Sequence, residues 1–133
     1  MPDGRHTTRE EKPLVLVVDD SERMRADARR LLEALGFKVM AADNGEAGMS
    51  LAMRHHPALI VLDWSLSGLG GPEFLRTLRT LPGYEATQVI VCSSQGRPAD
   101  IHAAMRAGAS EYLLKPLEPE LLAFKLRQIG LVA

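Results

Sequence analysis

At 133 residues the chain has room for one hydrophobic core and not for two. Its 46% hydrophobic and 25% charged residues are ordinary for a folded domain, and a formal charge of −1 argues against binding nucleic acid or anionic membrane through net charge. A single cysteine, Cys92, cannot form an internal disulfide, and no apolar run approaches the ~20 residues of a membrane span, so the expected setting is the cytoplasm.

Residues 1–12 lack apolar periodicity and the apolar stretch of a signal peptide, and read as a disordered lead-in. Leu14–Val18 is a continuous, β-branched apolar run, the pattern of a strand buried on both faces. Between Ser21 and Leu35, Met24, Ala28, Leu31, Leu32 and Leu35 recur at helical spacing, and Gly36 supplies a stop. Phe37–Ala42 is the second strand, Asn44 caps a helix reaching about His55, and Pro57 breaks it. Ala58–Leu62 is the third strand and ends at Asp63. A Gly/Ser-rich loop, residues 65–71, leads through Pro72 into a helix with Phe74, Leu75, Leu78 and Leu81 on one face. Val89–Cys92 is the fourth strand. Pro98 opens a helix whose apolar side carries Ile101, Ala104 and Met105. Tyr112–Leu114 is the fifth strand, and Leu121, Leu122, Lys125, Leu126 and Ile129 share one side of a last helix, the lysine by its stem. Five strands alternating with five helices make an α/β fold with a parallel sheet wound on both faces. No output domain, DNA-binding domain or membrane span is expected in a chain of this plan.

In such a sheet ligands bind beyond the carboxyl ends of the strands, near the switch point of the topology. The first strand ends in Asp19-Asp20, the third in Asp63, the fourth in Ser93-Ser94 and the fifth in Lys115-Pro116. Three carboxylates brought together repel and raise one another's pKa, and a hard divalent cation with oxygen ligands, Mg²⁺, resolves the repulsion. A carboxylate is also a nucleophile toward phosphorus, with metal and lysine as electrostatic clamps. A cis peptide bond is expected before Pro116, where the chain must turn sharply while aiming Lys115 back at Asp63.

Four segments, VLVVDDS (15–21), LIVLDW (59–64), VIVCSS (89–94) and AGASEYLLKP (107–116), carry a resemblance to the receiver domain of two-component response regulators, specifically the CheY-like single-domain type. The resemblance implies a (βα)5 doubly wound, five-stranded parallel sheet of strand order 2-1-3-4-5 over residues 13–133. It implies Asp63 as phosphoacceptor, Asp20 as a direct Mg²⁺ ligand, Asp19 as a ligand mainly through water, and the backbone carbonyl of Ser65 as a further ligand. Ser93 takes the place of the family's switch hydroxyl, Tyr112 that of the rotating aromatic, and Lys115 that of the phosphate-binding lysine. The implied donor is a histidine kinase or histidine phosphotransfer protein. The implied output is a protein target on the face formed by the fourth helix, fifth strand and fifth helix, with chemotaxis as the implied setting.

The chain departs from the family at Ser67, where a proline is usual, and the glycines at 68, 70 and 71 imply a loose loop over the site. An aspartyl-phosphate hydrolase is the enzyme alternative, but Asp63-Trp64-Ser65 lacks the second acid of its D-x-D pattern. Flavin binding would need a phosphate loop after the first strand, and none follows. A constitutive interaction module on a degenerate receiver scaffold is the second alternative, ahead of flavin binding. Cys92 reads as an inert core thiol, His55-His56 as a solvated helix end, and the arginines of the first helix as intrahelical partners for Glu22, Asp27 and Glu33.

Overall fold

The computed structural model describes residues 12–133, so the lead-in expected at the N-terminus lies, apart from Lys12, outside the described residues. Ten elements alternate along the chain: β1 (Leu14–Val18), α1 (Glu22–Ala34), β2 (Lys38–Ala42), α2 (Gly45–His55), β3 (Leu59–Asp63), α3 (Gly71–Thr80), β4 (Gln88–Ser93), α4 (Pro98–Arg106), β5 (Glu111–Leu114) and α5 (Pro119–Gln128). All strand pairs are parallel, in the order β2-β1-β3-β4-β5. This is the expected doubly wound sheet.

Successive strand residues point to opposite faces, and the two faces build separate cores. Leu16, Val18, Ile60, Leu62, Val89 and Val91 pack with Met49 and Ala52 of α2, Phe74, Leu75 and Leu78 of α3, and Ala104 of α4. The alternate positions Val15, Val17, Leu59, Val61, Ile90 and Cys92 pack with Met24, Ala28 and Leu32 of α1 and Leu122 and Leu126 of α5. Both faces are covered, which is why these strands read as unbroken apolar runs.

Local chemistry sets the helix ends. The Ser21 hydroxyl accepts from the Met24 amide (3.1 Å) to start α1, and the Asn44 side chain accepts from the Ala47 amide (2.8 Å) to start α2. Gly36 and Gly108 take the left-handed conformation just past α1 and α4, at φ of 98° and 112°. His56 does the same past α2 at φ 49°, its ring stacked on Tyr84 at 4.8 Å.

Two helices depart from expectation. On α4 only Ala104 is buried, while Ile101 and Met105 are 37% and 43% exposed. On α5, Leu122 and Leu126 are buried but Leu121 and Phe124 are exposed, and Lys125 pairs with Glu111 at 2.9 Å. Helical spacing tells which side chains share a face. It does not tell whether a neighbour covers that face, and β5, a four-residue edge strand, offers α4 and α5 little to cover.

Candidate functional site: an acidic cluster at the carboxyl edge of the sheet

β1 lies between β2 and β3, so the chain reverses its winding across the β1/β3 pair and leaves a crevice beyond their carboxyl ends. Asp19 and Asp20 follow β1 directly, and Asp63 is the last residue of β3. One carboxylate oxygen from each lies within 4.8 Å of the others. Asp19 and Asp63 are 2% and 4% exposed, whereas Asp20 faces solvent.

Lys115, just beyond β5, reaches into this cluster. Its ammonium lies 2.8 Å from Asp19 Oδ2 and 3.3 Å from Asp63 Oδ1. The expected pairing with Asp63 is present, but the shorter contact is to Asp19. The Lys115–Pro116 peptide bond is cis. Burial alone would pull the lysine's pKa down; the hydrogen bond to Asp19 and the charges of Asp63 and Asp19 outweigh it, so the ammonium is held above its usual value.

Backbone amides also engage the Asp19 and Asp63 carboxylates. Asp19 Oδ1 accepts from the Ser21 amide (2.9 Å), and the Asp19 carbonyl accepts from Arg25 Nη1 (2.8 Å). Asp63 Oδ1 accepts from the Ser65 amide (3.1 Å). Burial pushes the Asp63 carboxyl above its usual value; the Ser65 amide pulls it back, the Asp19 charge raises it again, and Lys115 lowers it. Three carboxylates face one ammonium, which leaves two negative charges at the edge of a low-dielectric sheet. Asp19, Asp20 and Asp63 therefore have the donor set and the charge excess that suit a hard divalent cation.

Ser93 ends β4 and is buried, its hydroxyl accepting from the Gln95 amide (3.0 Å). Tyr112 of β5 donates its hydroxyl to the Gln95 carbonyl (2.8 Å). The two residues expected to form a switch are thus joined through one peptide backbone. Trp64 is half-buried next to Asp63, and its amide donates to the Cys92 carbonyl (3.0 Å). A cavity of about 330 Å³ opens beside Lys115 and Pro116, with Ser94 on one wall and Met24 on another.

The contacts that three residues make escape a reading of the sequence. Arg25 looks like one more arginine on a basic face, yet it ties α1 to the Asp19 backbone. Gln95 acts through its main chain, so its side chain gives no signal. Glu46 looks like a first-turn acid, yet its carboxylate accepts from the Leu69 amide (3.1 Å) in the loop after β3. That loop, expected to be loose, is tied at this point and by the buried Leu66. The remaining arginines of α1 pair largely as expected, Arg30 and Arg23 with Asp27 and Arg29 with Glu33; Glu22 takes no such part among the described residues.

Comparison with known proteins gives a consistent result. A family model described as the response regulator receiver domain matches residues 15–127. A chemotaxis protein CheY homolog of Campylobacter jejuni is 32% identical over 117 residues, spanning 86% of this chain and 90% of that protein. The phosphate regulon transcriptional regulatory protein PhoB of Rhizobium meliloti is 34% identical over 112 residues, 84% of this chain but 49% of that longer protein. The solved structure of the Vibrio cholerae chemotaxis protein CheY4 superposes with a TM-score of 0.83 at 26% identity, covering 89% of this chain and 98% of that one.

Proposed function

The chain belongs to the response regulator receiver domain family, and on that premise we propose that it takes a phosphoryl group onto Asp63 and answers by changing the surface formed by α4, β5 and α5. The observation that carries the proposal is the convergence of Asp19, Asp20, Asp63 and Lys115 at one edge of the sheet.

An Asp63 carboxylate oxygen attacks the phosphorus of a phosphohistidine on a histidine kinase or histidine phosphotransfer protein. The new O–P bond forms as the P–N bond breaks, and the electron pair leaves with the imidazole nitrogen. Asp63 Oδ1 is already engaged by the Ser65 amide and Lys115, which leaves Oδ2 without a hydrogen-bond donor among the described residues and available for the attack. Asp19, Asp20, Asp63 and the Ser65 carbonyl would hold Mg²⁺. Bound there, Mg²⁺ supplies charge to offset both the carboxylates and the transferred oxygens. Lys115, anchored by Asp19, presents its ammonium to a phosphoryl oxygen without having to be recruited from solvent. The chain catalyses only its own phosphorylation and dephosphorylation; it is a signalling domain and not an enzyme acting on a separate substrate.

The response begins at Ser93. Its hydroxyl accepts from Gln95 and keeps its own hydrogen, which it donates to the new phosphoryl oxygens. Moving Ser93 pulls the Gln95 peptide, and the Tyr112 hydroxyl then loses the carbonyl that holds it. Tyr112 turns inward, and α4, held by a single buried side chain, follows. Exposed Ile101, Met105, Leu114, Leu121 and Phe124 give this region the apolar character of a surface that receives a protein target. Similarity to chemotaxis proteins favours a target in motility control, and the free, buried Cys92 is in keeping with a cytoplasmic setting.

Amide exchange measured with and without beryllofluoride and Mg²⁺ tests this reading. Protection should change across residues 95–128 in the wild type and fail to change in Ser93→Ala, although both bind the mimic. An unchanged wild-type pattern, or a full response in Ser93→Ala, contradicts the switch.

A further inference from the structure

The α2 N-terminus and the loop after β3 approach each other more closely than ordinary packing requires. A Cβ on Gly45 would collide with the Leu69 carbonyl, and one on Gly68, which sits at φ 72°, would meet Glu46 Oε1 at 2.8 Å. Where the loop closes into α3, a Cβ on Gly71 would strike the Asp63 carbonyl at 2.8 Å, so the two ends of the loop also touch. The loop is therefore clasped twice, once under Asp63 and once against α2.

Glu46 makes the second clasp specific. An acid in the first turn ordinarily serves its own helix, where it offsets the macrodipole and the free amides. Here Asn44 already caps α2 through the Ala47 amide, and the Glu46 carboxylate instead accepts from Leu69, 23 residues along the chain. The same loop meets the acidic cluster at its start, where the Ser65 amide donates to Asp63 Oδ1. Between these two points Leu66 is anchored in the core, while Ser67 and Gly68 bring no proline and no apolar side chain, so the outer part of the loop takes its shape from the bond at Leu69.

We propose that Glu46 is a positioning residue for the acidic site: its bond to Leu69 fixes the loop, and through the Ser65 amide the loop fixes the Asp63 carboxylate and the carbonyls beside it. The proposal rests on the reading of Asp19, Asp20 and Asp63 as a divalent-cation site. Outer-shell groups of this kind usually change metal affinity about 10–100-fold, and a latch in contact with solvent belongs at or below the low end.

The test is Mg²⁺ binding, by calorimetry and by Trp64 fluorescence, to the wild type, Glu46→Ala and Glu46→Gln, with urea unfolding of each in metal-free buffer. Glu46→Ala should bind Mg²⁺ about three- to tenfold more weakly with little change in unfolding midpoint. Glu46→Gln keeps an acceptor oxygen and loses the charge, and should bind close to the wild type. Equal affinity in wild type and Glu46→Ala overturns the proposal, as does an equal weakening in both variants, which would assign the effect to charge. A wild type that binds no Mg²⁺ overturns the cation-site reading, and this proposal with it.

Discussion

Burial sets the ionisation of Asp63 against that of the same residue in the unfolded chain. Its carboxyl is pushed above the usual value of 3.8 by desolvation, with the Ser65 amide opposing, Asp19 adding and Lys115 opposing. The folded protein thus binds this proton more tightly than the unfolded one. That contribution is fully present below the unfolded value and is lost as pH rises through the folded one. In metal-free buffer Asp63→Asn should therefore be the more stable protein at pH 7, with the difference closing in acid; Asp19 keeps Lys115 paired in the variant. Urea midpoints across pH decide it, and a wild type more stable than Asp63→Asn at pH 7 would refute the assignment. Cys92 follows the same logic more simply: burial pushes its thiol from 9.0 up to about 12, as an inert core residue requires. Asp19, Asp20, Asp63, Ser93 and Lys115 are legible in the sequence because each sits where an apolar run stops, and the parallel topology brings those stops together. Arg25, Gln95 and Glu46 are not legible, because each acts on or through a backbone group distant in the chain, and no local pattern records that.

At the scale of elements, α3 and α4 differ in what holds them. α3 buries Phe74, Leu75 and Leu78 completely, while α4 buries Ala104 and leaves Ile101 and Met105 largely open. Phe74→Ala should cost about 3–5 kcal/mol, and Met105→Ala on the open face within about 0.5 kcal/mol of nothing. Chemical unfolding of the two variants checks this; a large loss at Met105 would mean that α4 is anchored through its outer face. A helix with so few buried contacts belongs among the parts that rearrange at low cost, which is what the proposed response asks of it. Element order and strand positions are legible from periodicity and from the punctuating glycines and prolines. The exposure of α4 and α5 is not, since amphipathic spacing is the same whether the apolar side meets a core or a future partner. Arg79 is a further case: it donates to the carbonyls of Gly108 (2.8 Å) and Tyr84 (2.7 Å), tying α3 to the end of α4, and nothing in its neighbourhood in sequence announces it.

Across the whole molecule, one central sheet separates two cores and gathers the chemistry at a single edge. The β1/β3 crevice supplies the carboxylates, β4 the hydroxyl and the turn after β5 the ammonium, so the residues of the site come from the ends of four of the five strands. The Ser93–Gln95–Tyr112 hydrogen bonds lead from that edge toward the outer strand, away from the site and toward the open faces of α4 and α5. The proposed response, from Ser93 to the outer faces of α4 and α5, depends on Asp63 being the residue that takes the phosphoryl group. Incubation with Mg²⁺ and a small phosphodonor, followed by intact mass and by borohydride trapping with peptide mapping, tests that directly. The expected result is one acid-labile phosphoryl group per wild-type chain, mapped to Asp63, and none on Asp63→Asn. Stoichiometric phosphate on Asp63→Asn, or a wild type that takes none, would contradict it.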